Sequence, residues 1–581
     1  MKKTAFLLFA SIACAAFLHV NISQNPTSSN KIKQDVGAYK LRFVVGCRPD
    51  LASLNLNDPA NAIPLLEGWG KYRMPVTVTN DSANIYFQQG INMYYGFHII
   101  EALASFEKAL TFDSAFAMGY WGKALAYGPN INDMGYAASP DALTAVEKAK
   151  QLSERCTSVE KGLIAAMQVR YSSDSTQKRE VLNQQYADAM KRVHLSFPKS
   201  ADVAALYADA LMVQHPWDLY DRHYTPKPWT PEIVGVLERL VKAFPEHPGA
   251  NHYYIHAIEG SKHPEKGLEV ANRLGQFMPG VAHLVHMPSH IYIRSGYYKK
   301  GVEVNEAAVR GYQDYLSKYP LVAGGAYIYL MHNLHMKAAC AAMGGQYMEA
   351  MQFSNETRSS VDSTYLNSGG YFGMYSQYLF MTPVFTQVRF GKWEALLNTP
   401  ALPQTWVYAR SMQHFGQGIA YARTQQWNKA AEALKHMGDS VNSAQLQEHP
   451  PAFNPGIAAV EVAEKILQGV LTEEQQQLSQ AATYFREAVA KEDNMLYNEP
   501  KDWLLPARQY LGRVLLKAKQ YNAAEKVYRE DLTINPHNGW SLMGLAQALK
   551  KQGKIRESAA VQQQAIRALE ANEANVTGSV F

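Results

Sequence analysis

The chain has 581 residues, 47% apolar and 18% charged, a balance that excludes both a disordered polymer and a wholly membrane-embedded protein. Its net charge of +5 is mild, and no dense Lys/Arg run interleaves with aromatics, so the sequence carries no nucleic-acid footprint. This length ordinarily means several globular domains, unless the fold is a repeat array, which has no such ceiling.

Lys2 and Lys3 precede an apolar run from Ala5 to Val20, too short for an ordinary spanning helix and laid out as a secretory signal. Residues 1–23 are therefore expected to direct export, to the periplasm or the outer surface. Ser11-Ile12-Ala13-Cys14 is a loose lipoprotein-type box in which Cys14 would carry the lipid; simple cleavage near Ser23 and an uncleaved anchor are the alternatives. Contact with a membrane would come through this segment alone. Cys47, Cys156 and Cys340 are widely separated and form no CxxC pair, so packing rather than a disulfide framework must hold the fold. Residues 24–64 are polar and aperiodic and read as a tether.

From Ser82 the pattern turns helical, with two amphipathic helices and the start of a third before Gly128. Residues 65–240 are expected to form N-terminal repeats. They end near a helix closing at Val213 and the loop His215-Pro216-Trp217-Asp218-Leu219-Tyr220-Asp221, in which Trp217 and Asp218 are candidate ligand contacts at the end of a groove, or else a cap on the next helix.

Within the central repeats, 241–362, the stretch from His252 to His335 holds eight of the 18 histidines: His252, His256, His263, His283, His286, His290, His332 and His335. The last part, 363–581, supplies the ruler that makes them interpretable. There Gly512, Leu515, Tyr521, Ala524, Tyr528 and Pro536 fall at positions 8, 11, 17, 20, 24 and 32 of a 34-residue helix-turn-helix unit, with Ala546, Leu549 and Gly553 in phase in the next. Small residues at 8 and 20 let paired helices approach, large ones at 11 and 24 fill the seam, and proline at 32 stops the second helix. This is the tetratricopeptide pattern, and the fold class it predicts is all-α, a solenoid of roughly eight to ten helix pairs. Glu499, Trp503 and Arg508 mark a polar corner ahead of the well-matched repeat.

Applied to the middle, the ruler puts Gly267, Gly301 and Ala350 at position 20, the last after an insertion containing Pro320, Gly324 and Gly325. His252 and His256 then fall at positions 5 and 9; His283, His286 and His290 at 2, 5 and 9; His332 and His335 at 2 and 5. Those positions form one stripe on the first helix of each repeat, the face that lines the groove of such arrays. Imidazoles at this spacing can share an ion, and zinc, copper and iron all suit them. Glu259, at position 12, is a candidate oxygen ligand or general base. A polar organic-ligand pocket, or a structural network with Tyr253, Tyr254, Tyr292, Tyr327 and Tyr329, would use the same pattern. His263 and His247 sit in turns and read as surface residues.

The segments HPGANHYYIHAIEGS, PGVAHLVHMPSHIYIRSGYY and MHNLHMKAACAAMGG, with GINMYYGFHIIEALASFEKAL and PWDLYD before them and YREDLTINPHNGWSLMGLAQAL after, resemble a large family of bacterial tetratricopeptide-repeat proteins known chiefly by its repeats. The likeness covers about residues 65–581. It implies that the histidine stripe is a family feature, and it brings no settled activity with it. Lys71-Tyr72-Arg73 and Phe97-His98-Ile99 stand where the family would have histidine-richer and Asn-His sequences, so ligands from that part are in doubt. Two functions of different class follow: an exported metal-dependent enzyme of hydrolytic or oxidative type, or a binding module whose groove takes a protein, peptide, glycan or metal.

Overall fold

The computed structural model describes residues 63–132, 139–319, 326–450, 452–569 and 575–581. Among them the chain is helical throughout, apart from one isolated antiparallel bridge between Tyr220 and Pro226. The N-terminal signal, Cys14, the tether up to residue 62 and the 320–325 insertion lie outside the described residues. No described helix is long and apolar enough to cross a membrane.

Consecutive helices pair as the ruler requires, giving a solenoid of tetratricopeptide type. The first repeat is α1 (Asp81–Tyr95) and α2 (Ile99–Phe112). After α3 (Ala201–Gln214) and the 215–229 loop come the central repeats: α4 (Pro248–Ile258) with α5 (Leu268–Phe277), then α6 (Ala282–His286) and α7 (Pro288–Ser295) with α8 (Tyr298–Lys318), then α9 (Ala326–Met343) with α10 (Tyr347–Ser360). Later elements include α11 (Gly370–Phe380), α12 (Ala507–Lys517), α13 (Tyr521–Ile534), α14 (Gly539–Lys551) and α15 (Ile555–Ala568).

The small residues sit where two helices meet. A Cβ on Gly267 would lie 2.9 Å from the tips of both Ile258 and Ile291, and one on Gly301 2.6 Å from the sulfur of Cys340. Gly512 and Gly544 both abut the Tyr528 ring, where a Cβ would come within 2.4 and 2.3 Å of Cζ. The apolar core forms two large clusters, one running from Ile63 to Tyr329 and one from Val302 to Val576.

The array also curls back on itself. The Tyr298 hydroxyl donates to the Pro536 carbonyl at 3.3 Å, the Trp540 indole N–H to the Ala342 carbonyl at 3.3 Å, and the Tyr378 hydroxyl to the Lys501 carbonyl at 2.6 Å. Residues 497–503 come against the central repeats, lining clefts with Arg294, Ala338, His256 and Glu259.

Candidate metal centre

Helix α4 starts at Glu246-His247-Pro248-Gly249. Proline suits the first helical position, and the His247 Nδ1 accepts the Ala250 backbone N–H at 3.1 Å as an N-cap. His247 is therefore not the surface residue its turn position suggests: it is buried, tilted against Tyr72 and edge-on to Tyr95, with Nε2 3.5 Å from Asp202. One turn apart along α4 come His252 and His256, both buried. The first helix of the next repeat is broken at Met287-Pro288, because proline has no N–H to continue the ladder. His283 and His286 fall on α6 and His290 on α7; His332 and His335 project from α9.

The hydrogen bonds assign the protons. His252 Nδ1 lies 2.6 Å from the Tyr95 carbonyl, which can only accept. His256 Nδ1 lies 2.9 Å from Glu259 Oε1, and His290 Nδ1 bonds the other oxygen, Oε2, so one carboxylate ties α4 to α7. His286 Nδ1 lies 2.6 Å from Asn305 Oδ1; the Asn305 amide nitrogen donates to the Gly301 carbonyl at 2.7 Å, which fixes Oδ1 as an acceptor. In all four rings Nδ1 donates to an acceptor, which leaves Nε2 to face the chamber. Those Nε2 atoms converge. His286 Nε2 and His290 Nε2 face each other at 2.8 Å, His332 Nε2 is 3.4 Å from His290 Nε2, and His283 Nε2 is 3.1 Å from His252 Nε2. The His256 Nε2 is buried with no partner.

Three sets of donors lie within 4.8 Å of one another: His252, His256 and His283; His286, His290 and His332; and His256, Glu259 and His290. The first two are separate triads, and the third is the link between them. Burial first, and the neighbouring imidazoles second, hold His252, His283, His286 and His332 well below the ordinary histidine value, so they are neutral at pH 7. Burial pushes the Glu259 carboxyl up, but His290 and His256 outweigh it and bring it down to about 2, an anion.

Six of the seven stripe histidines are thus brought together. The seventh, His335, turns away: it is buried edge-on against Tyr378 with ring centroids 4.8 Å apart, and both its nitrogens lack partners. Trp217 stands at the chamber wall, its ring 5.6 Å from that of His256, with a backbone φ of 59°. The Asp218 carboxylate instead pairs with Lys227 at 3.2 Å. His263 is exposed, as its turn position suggests. The tyrosine network does not reach the stripe through the hydroxyls of Tyr254 and Tyr292, which bond Glu238 and Asn272. Glu499, Trp503 and Arg508 do not form one corner, since Trp503 donates to the Leu505 carbonyl and Arg508 forks onto Asp493.

Sequence reasoning missed three contributors. Phe97 lies over His252, His256 and His283 at 4.4, 5.7 and 5.8 Å, with a φ of 58°, in the position noted as departing from the family pattern. The Tyr95 carbonyl leaves no side-chain signature. Asn305 does leave one, being a polar residue on the buried face of α8.

A cleft lined by Trp217, Tyr220, His256, Glu259 and Tyr497 leads to the chamber. No family model matches the chain, and no curated protein does. Among solved structures the chain is similar to the human IFIT1 dimer with m7Gppp-AAAA at 15% identity, covering 85% of this chain and 91% of that one, with a TM-score of 0.30. It is similar to yeast Tom70 at 9%, covering 84% and 92%, TM-score 0.27, and to the P58(IPK) TPR domain at 10%, covering 84% and 99%, TM-score 0.22. With TM-scores this low, the solenoid assignment rests on the helix pairing and seam residues described above.

Proposed function

We propose that this protein is an exported metal-dependent enzyme holding two transition-metal ions, one on His252, His256 and His283 and the other on His286, His290 and His332. The observation that carries the reading is the pair His286 and His290: both have their Nδ1 protons committed to acceptors, and their Nε2 atoms face each other across 2.8 Å. A cation belongs there. All-imidazole sets suit zinc, copper or iron, and three protein ligands with an open position are the pattern of catalytic rather than structural sites. Glu259 uses both oxygens to orient one imidazole of each triad, so it is read as a positioning residue for both ions rather than as a ligand or base. The Trp217–Tyr497 cleft reaches His256 of the first triad and Glu259. Export draws on Lys2, Lys3 and the apolar run to Val20.

The other class, a binding module for a protein or peptide, draws on the solenoid fold, whose grooves commonly hold partners. The burial of His252, His256, His283, His286 and His290 favours the first reading, because a peptide in the groove would not reach them.

Elemental analysis of the purified protein tests it. Two equivalents of a transition metal per chain are expected, and His286→Ala should lose one of them with its helical circular dichroism unchanged. Less than a tenth of an equivalent, with no uptake on titration, would show that a shared proton occupies the 2.8 Å gap instead.

A further inference from the structure

Arg294 follows His290 by one helical turn on α7 and so shares its face. Its side chain is buried, with the guanidinium between two rings, Tyr224 at 4.8 Å and Tyr497 at 4.7 Å. Nη2 donates to the Ser261 carbonyl at 3.0 Å, two residues past Glu259. Nε and Nη1 are buried without any partner. A guanidinium cannot shed its charge, so three of its N–H groups are desolvated and unanswered, an arrangement that costs several kcal/mol unless something anionic meets them.

The space beside it is a cleft lined also by Ala338, Ala342, Tyr497 and Glu499. It offers about 50 Å³ to water-sized molecules, where one water needs about 10–15 Å³ on that measure, so it takes a group of a few heavy atoms. Glu499 Oε1 is likewise buried and unpartnered. Burial first and the charge of Glu259 second push the Glu499 carboxyl well above the usual range, against the opposing pull of Arg294 and Lys501. Tyr497 belongs both to this cleft and to the one that reaches His256 and Glu259.

We infer that the Arg294 cleft binds the oxyanion end, carboxylate or phosphate, of the small molecule on which the histidine centre acts. The planar guanidinium, stacked and fixed at one nitrogen, presents the geometry that pairs with either group. Calling that molecule a substrate rests on the metal reading; the anion site itself needs no ion.

The test uses the full-length protein, both chelator-stripped and metal-loaded, titrated with acetate and with inorganic phosphate at constant ionic strength while tryptophan fluorescence is followed; Trp503 lines the cleft. The stripped protein should bind at least one of the two saturably, and which one binds identifies the group. Arg294→Met should weaken binding at least tenfold while leaving metal uptake unchanged. Ala342→Leu, which adds bulk to the cleft wall and keeps Arg294, should do the same and decides the matter if Arg294→Met fails to fold. Absence of saturable binding, binding that survives the variants, or binding seen only in the loaded protein and indifferent to Arg294→Met would each overturn the inference. Anion binding by a protein that takes up no metal would remove the metal reading and leave this site standing.

Discussion

At the scale of single residues, Glu259 and His335 make opposite predictions from similar burial. Glu259 answers two imidazole N–H groups, one per oxygen. In Glu259→Gln one of those oxygens becomes an NH₂, and the imidazole facing it must turn its lone pair to that side and move its proton to Nε2. A protonated Nε2 cannot ligate. One ion should therefore bind about 10–100-fold more weakly, read by competition with a chelator, with no change in helicity. His335 serves no such purpose, since its two buried nitrogens answer nothing. His335→Leu, of similar volume, should leave metal content unchanged and be neutral or stabilising by about 1 kcal/mol in urea titration at pH 7. Burial holds His335 at about 3 in the folded chain. In the unfolded chain it protonates near 6.5, so as pH falls the unfolded state takes up the proton first. Its titration therefore costs the fold nothing above about pH 6.5 and destabilises it progressively from there toward pH 3, at up to about 1.4 kcal/mol per pH unit. The leucine variant should show a correspondingly shallower decline.

At the scale of the helix pair, the ruler rests on glycines that admit no side chain. Alanine normally stabilises a helix by about 1 kcal/mol over glycine, yet at Gly512 its methyl would lie 2.4 Å from Tyr528. Overpacking of this kind costs about 1–3 kcal/mol, so Gly512→Ala should lower stability on balance. Gly438 is the control. It is exposed on the Trp427–Ser440 helix, where an added methyl would meet nothing within 4 Å, and Gly438→Ala should raise stability by about 0.5–1 kcal/mol. Chemical denaturation of the two variants checks both signs. This level of structure was the most legible in the sequence, because seam positions 8, 20 and 24 impose size limits that recur every 34 residues. The break at Met287-Pro288 was visible as a proline, but the division of the stripe was not: it falls inside α6, between His283 and His286, while His286 and His290 share a triad across the break.

At the scale of the whole chain, the periodicity of the first helices brought six imidazoles to one face, and a periodic argument reaches no further than that. His332 and His335 are three residues apart and so about 60° apart around α9; with His332 in the chamber, His335 is swung to Tyr378 of α11. The carbonyl of Tyr95, the Phe97 wall and the cleft lining from residues 497–503 come from sequence-distant segments, and no local pattern announces them. The closure has an energetic consequence. In an open solenoid each repeat touches only its neighbours, so a ligand in the middle would stabilise the middle alone. Here Tyr298 holds Pro536 and Trp540 holds Ala342, which tie α8 and α9, the latter carrying His332, to the C-terminal repeats. Ions bound only by the folded state would add about 2.7 kcal/mol at a hundredfold excess over their dissociation constant. Hydrogen exchange with and without metal should then show slower exchange in α4, α6 and α7, and also in α14, which carries Trp540 but has no ligand. Protection confined to the central repeats would mean that the C-terminal contacts do not transmit the stabilisation. Substituting Trp540→Phe, which keeps the ring and removes the indole N–H to Ala342, should reduce the metal-dependent protection of α14 more than that of α4.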